Sequence, residues 1–182
     1  MPTPASSLRQ KLTGVLPPIT MPFDREGNLV KGGLKEQIDF IIGHGARAVV
    51  AGGSTGEGHT LTEGEFDSAM REAYEATAGR VPFVAGLIVQ TTRDAIERTR
   101  RLKGLNIAAL QVTPVHYLFK PDADATVEHF REIYDASDPY PIRISTTDGI
   151  DTDTSSLKVR VRSYDAEGKE LSDETLHPVV AG

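Results

Sequence analysis

The sequence predicts an α/β fold built on a parallel sheet. Through roughly the first 147 residues, short apolar runs alternate with amphipathic helical stretches. The apolar runs lack period-two polarity, as expected of strands buried on both faces. Beyond about residue 147 this rhythm stops and the composition becomes polar and turn-rich. The predicted organisation is an α/β domain over 1–147, then a polar linker and short β-hairpin tail over 148–182.

The first strand lies in "GVLPPITMPF" (14–23). Its three prolines remove ladder donors, so it is placed at an edge or as a locally irregular strand. "LKEQIDFIIGHG" follows with Leu34, Ile38, Ile41 and Ile42 at helical spacing, and Gly45 is its stop. "ARAVVAGGS" is a buried strand ending in a Gly-rich turn. Thr62 and Glu65 have the spacing of a capping box, with Leu61 and Phe66 as the hydrophobic staple. That helix runs through "EFDSAMREAYEATAG" and stops at Gly79. "VPFVAGLIV" (81–89) is the third strand, "TTRDAIERTRRLKGL" a helix with a weak apolar face, and "IAALQVTPV" (107–115) the fourth strand. "DATVEHFREIYDAS" places Val127, Phe130, Ile133 and Tyr134 on one helical face, and "YPIRIS" (140–145) begins a fifth strand. In the tail, Leu157, Val159 and Val161 alternate with Lys158, Arg160 and Arg162, and "DAEG" is a hairpin turn.

The count is about four βα units plus a fifth strand. An open doubly wound sheet needs only about five strands, whereas a closed (β/α)8 barrel needs eight and usually about 250 residues. Periodicity alone slightly favours the open sheet; the motifs below favour a partial barrel.

Composition narrows the partners. The net charge is −6 with no basic stripe, which argues against nucleic acid. There is no cysteine, so disulfides, thiolate metal sites and a Cys nucleophile are excluded. No apolar run approaches the ~20 residues of a membrane helix, and "MPTPASSLRQKL" lacks the apolar stretch of a secretory signal. A cytoplasmic protein without a membrane partner is the expectation.

The stretch "AVVAGGSTGEGHTLTEGEF" (48–66) carries the functional signal. A parallel strand delivers its chain at its carboxyl end, where α/β folds bind ligands. Gly52 and Gly53 let the backbone turn and approach a ligand, while Ser54, Thr55 and Gly56 supply hydroxyls and N–H donors. Donors without a cation suit a small carboxylate or phosphate. From spacing alone, the more ordinary reading is that Ser54 and Thr55 simply satisfy the turn and cap. The stretch is neither a Walker loop nor a dinucleotide fingerprint.

"GGSTGEGHTLTEGEF", preceded by "GVLPPITMPFDREGNLV" and followed by "AGRVPFVAGL" and "QVTPVHYLFKP", resembles the dihydrodipicolinate synthase / N-acetylneuraminate lyase family. The resemblance covers about residues 12 to 144. It implies a TIM barrel and pyruvate-dependent class I aldolase or lyase chemistry, with no cofactor. It implies that Ser54 and Thr55, beside Gly53, bind the carboxylate of a small 2-oxo acid such as pyruvate. Serine at the first of these positions is closer to the neuraminate-lyase side. The resemblance also places Ser54 in a proton relay with Tyr117, which lies beside His116 in a stretch two residues longer than the common form.

Two groups the family needs are not found. Class I chemistry uses a lysine amine that forms an imine with the ketone, and the family carries it at the end of a sixth strand. No sixth strand is recognisable, so no Schiff-base lysine is assigned. Ser145 stands where the family has its strand-5 tyrosine. Lys158 lies on a charged strand face and Lys169 beside a turn, and both are read as solvated; Lys120 lies near the expected mouth of the site and is read as a surface charge on a loop.

Asp148, Asp151 and Asp153 lack the glycine and glutamate of a calcium loop, and His44, His59, His129 and His177 form no ligand pair, so no metal site is assigned. Three functional readings follow. The first is an aldolase-family chain cut short before its lysine and inactive alone. The second is a binding or interaction module for a small carboxylate. The third is a half-enzyme completed by a partner chain. An unfinished barrel exposes strand edges, so self-association or a complementary chain is expected.

Overall fold

The computed structural model describes residues 12–113, 122–137, 142–144, 159–164 and 170–176. The chain forms two compact units, Met1–Thr146 and Thr147–Gly182.

In the first unit the chain enters beside the sheet without forming a regular strand. Pro18 makes a single parallel bridge to Val50. Around it, Ile19 N–H donates to Val50 O (2.9 Å) and Arg47 N–H to Val15 O (2.8 Å). The prolines explain this: a ladder cannot run through residues that lack a donor. Then come α1 (Gly33–Gly43), β1 (Val49–Ala51), α2 (Glu63–Thr77), β2 (Phe83–Leu87), α3 (Thr92–Arg101), β3 (Ala109–Val112), α4 (Ala123–Ser137) and β4 (Ile142–Ile144). The four strands are all parallel and stand in sequence order, β1-β2-β3-β4.

The two faces of this sheet are packed differently. Val49, Ala51, Phe83, Ala85, Leu87, Leu110 and Val112 share one core with buried residues of the helices, among them Leu34, Ile38, Phe66, Met70, Ala95 and Ile133. The alternate residues Val50, Val84 and Ala109 form a separate small cluster, joined only by Leu12 and Leu16 among the described residues. A doubly wound sheet carries helices on both faces and reverses its strand order. Among the described residues this sheet does neither: its strands stand in sequence order and the described helices share one core on one side.

Local signals set the helix ends. Thr62 and Glu65 form the capping box: Glu65 N–H donates to Thr62 Oγ1 (3.3 Å) and Thr62 N–H to Glu65 Oε2 (2.8 Å). Leu61 and Phe66 are both buried in the main core, as a staple requires. The start of α1 is capped from a distance. Its own Gly32 offers no side chain, and the Glu72 carboxylate on α2 accepts from Gly32 N–H (2.9 Å) and Leu34 N–H (2.8 Å).

The expected face of α4 needs correction. Ile133 is fully buried and Phe130 packs on the core, but Val127 is 54% and Tyr134 43% exposed. The buried stripe instead includes His129 and Ser137. His129 is held inward by two hydrogen bonds. Its Nε2–H donates to Thr113 O (3.3 Å), and its Nδ1 accepts from the Thr92 hydroxyl (2.8 Å). Polar satisfaction, rather than apolar content, rotates the helix by part of a turn.

The second unit contains an antiparallel pair, β5 (Val159–Tyr164) and β6 (Glu170–Leu176), with a register shift at Ser163/Tyr164. The proposed linker, with Asp148, Asp151 and Asp153, and the "DAEG" turn lie outside the described residues, as do Lys158, Lys169 and His177. No helix among the described residues is long and apolar enough to cross a membrane.

Candidate substrate-binding site

The site grows from the carboxyl end of β1. At Gly52 the backbone takes φ +75°, a left-handed turn that favours glycine. Two later glycines are required by close approach. A Cβ on Gly58 would lie 1.9 Å from Gly52 O, and one on Gly86, in β2, would lie 2.5 Å from Gly53 N. The loop thus folds back on its own start and presses against the bare backbone of β2. Its closing bonds are Gly56 N–H and Gly58 N–H, both to Gly53 O (3.1 Å each), and Glu57 N–H to Ser54 O (3.1 Å).

This folding buries Gly52, Gly53, Gly56 and Gly58 and leaves Ser54 and Thr55 exposed at the tip. Neither hydroxyl, and neither backbone N–H, of Ser54 and Thr55 has a hydrogen-bond partner among the described residues. The turn uses the Ser54 carbonyl, not its hydroxyl. Of the two readings open from spacing, serving the turn therefore accounts for neither side chain.

Gly53, Ser54 and Thr55 open onto a cavity of about 270 Å³. Its other walls are Gly14, Leu16, Pro18, Val50 and Gln111. These come from the entering segment, β1 and β3, and Val50 and Leu16 belong to the smaller cluster of the sheet. The volume suits a molecule of a few heavy atoms. The donors at one end can meet an anion, and Leu16, Pro18 and Val50 can meet an apolar part.

The walls from Gly14, Leu16, Pro18, Val50 and Gln111 were not assigned to the site from sequence, and Gln111 is the polar side chain among them. A signal was present: it is the one polar residue in the strand "ALQV". The described lysines, Lys31, Lys35 and Lys103, are all exposed, and none lines the cavity. Tyr117, His116, Lys120 and Ser145 lie outside the described residues.

Residues 11–146 match the Dihydrodipicolinate synthetase family. The chain belongs to this family. It is 37% identical to 4-hydroxy-tetrahydrodipicolinate synthase of Roseobacter denitrificans over 126 residues, which cover 69% of this chain and 42% of that protein. Among solved structures it resembles N-acetylneuraminate lyase from Mycoplasma synoviae, with a TM-score of 0.70 and 28% identity, covering 79% of this chain and 50% of the other. It also resembles YagE, a prophage family member from Escherichia coli K12 solved in complex with pyruvate, with a TM-score of 0.68 and 26% identity over 73% of this chain and 44% of that one. These neighbours are TIM-barrel members of the dihydrodipicolinate synthase and lyase family. The chain spans less than half the length of the curated relatives it matches.

Proposed function

We propose that this chain binds the carboxylate of a small 2-oxo acid such as pyruvate through Gly53, Ser54 and Thr55, and by itself forms no imine with it. One observation carries the reading: the Ser54 and Thr55 hydroxyls and N–H groups are uncommitted and open onto a small cavity. A carboxylate accepts from such donors at short range, and each charge-assisted bond is roughly twice as strong as a neutral one. The complex of YagE with pyruvate supports the ligand class.

The chemistry of the whole family would be reversible carbon–carbon bond formation through a lysine imine. The amine attacks the ketone carbon, water leaves, and the protonated imine accepts the electron pair released when the bond breaks. Ser54 would relay the proton with Tyr117. In this chain Ser145 replaces the second tyrosine, and no lysine matches the family's position. The proposed fold is a partial (β/α)8 barrel, with residues 148–182 forming a separate tail.

A second reading, a half-enzyme completed by a second copy or a complementary chain, is favoured by the chain's matching less than half the length of its curated relatives. Borohydride trapping tests both. The chain is incubated with pyruvate, reduced, and weighed as the intact protein. An unchanged mass is the expected result. A pyruvyl adduct on Lys120, Lys158 or Lys169 contradicts the first reading, and an adduct formed only with an added partner establishes the second.

A further inference from the structure

We infer that Arg98 is a positioning residue for the carboxylate loop, clamping its closing point so that Ser54 and Thr55 stay at an open tip. The inference rests on reading that loop as a carboxylate site. Arg98 belongs to α3 and is 6% exposed, unlike its neighbour Arg100 on the same helix. It does not line the cavity.

Its guanidinium is spent on the loop and the helix that follows it. Nη1 donates to Gly58 O (2.7 Å), Nη2 to Leu61 O (2.9 Å) and Nε to Glu63 Oε1 (3.3 Å). The group lies 4.8 Å from the centre of the Phe66 ring. Burying a cation is costly unless its donors are satisfied, and here a planar fork matches two carbonyls three residues apart. Packing alone would be met by an apolar side chain.

Gly58 is where the clamp acts. Its N–H donates to Gly53 O (3.1 Å), closing the loop, while its own carbonyl receives Arg98. With no Cβ it rests directly on Gly52. Fixing Gly58 therefore fixes Gly53, the residue before the two hydroxyls. A lysine is a single point charge and cannot hold both carbonyls in this geometry.

The test compares Arg98→Lys and Arg98→Gln with Ile38→Val, a buried change in α1 away from the loop. Two quantities are read: amide exchange over residues 52–61, without ligand, and pyruvate affinity by calorimetric titration. In the Arg98 variants the Gly56 and Gly58 amides are expected to exchange at least about tenfold faster, and pyruvate to bind about tenfold more weakly, the loss of roughly one charge-assisted bond. Exchange in β2 and α4 should be unchanged. Ile38→Val should lower Tm and alter neither quantity. Wild-type exchange with wild-type affinity in both Arg98 variants would overturn the inference. So would affinity that tracks Tm across all three proteins. If the wild-type chain binds no pyruvate, the carboxylate reading fails, and loop exchange still decides Arg98: faster in the variants sustains the clamp, unchanged removes it.

Discussion

Gly58 and Gly86 have no room for a methyl group, because each faces loop backbone rather than a side chain that can move aside. Gly58→Ala and Gly86→Ala should each lower stability by about 3 kcal/mol, the upper end of overpacking costs, because backbone must shift. Urea unfolding measures this. Ser54 and Thr55 should show the opposite profile. Both are exposed and make no side-chain bond among the described residues, so Ser54→Ala and Thr55→Val should leave stability within about 0.5 kcal/mol. Each should weaken pyruvate binding by about tenfold. A residue that matters to the ligand and not to the fold is the mark of a site. The Gly-rich motif that marks Ser54 and Thr55 is local and so was readable, while their proposed role came from the resemblance and not from spacing. Arg98 was hidden, because nothing in "ERTRR" separates the arginine that turns inward from those that face water.

At the scale of elements, legibility followed sequence separation. The Thr62–Glu65 box spans three residues and was readable; Thr62→Ala should cost about 1 kcal/mol in thermal or urea unfolding. The cap on α1 comes from Glu72, about forty positions away, and no local pattern announces it. Glu72→Ala should likewise cost about 1 kcal/mol, and more than the same change at an exposed glutamate such as Glu75. The face of α4 was misread for a related reason. Apolar spacing favoured Val127 and Tyr134, while His129 found its partners on α3 and at the end of β3.

That histidine carries a pH dependence. Burial pushes its pKa below the usual histidine value, against smaller opposing effects from the Thr113 carbonyl and Glu132. Folded His129 thus binds its proton less readily than the unfolded chain does. Its contribution is whole above about pH 6.5 and is lost as pH falls from there through the lower folded value. Unfolding free energy measured between pH 7.5 and 5 should decline in the wild type, and His129→Gln should flatten that decline.

For the whole molecule, the alternation of strands and helices gave the α/β class but could not choose between an open sheet and a barrel wall. That choice lies in which sheet face the helices cover, and strand periodicity says nothing of it when both faces are apolar. Among the described residues the buried side chains fall into two separate clusters, a large one shared with the helices and a small one of Val50, Val84 and Ala109.

The central claim concerns the loop at the end of β1, and an amide-shift titration with pyruvate tests it most directly. The account predicts saturable shifts at Gly53, Ser54, Thr55 and Gly56, with Gln111 in the cavity wall responding and the helical face of the sheet silent. The same titration of the Ser54→Ala, Thr55→Val double variant should leave those signals in place. Shifts that survive the double variant, or none in the wild type at millimolar pyruvate, would contradict it.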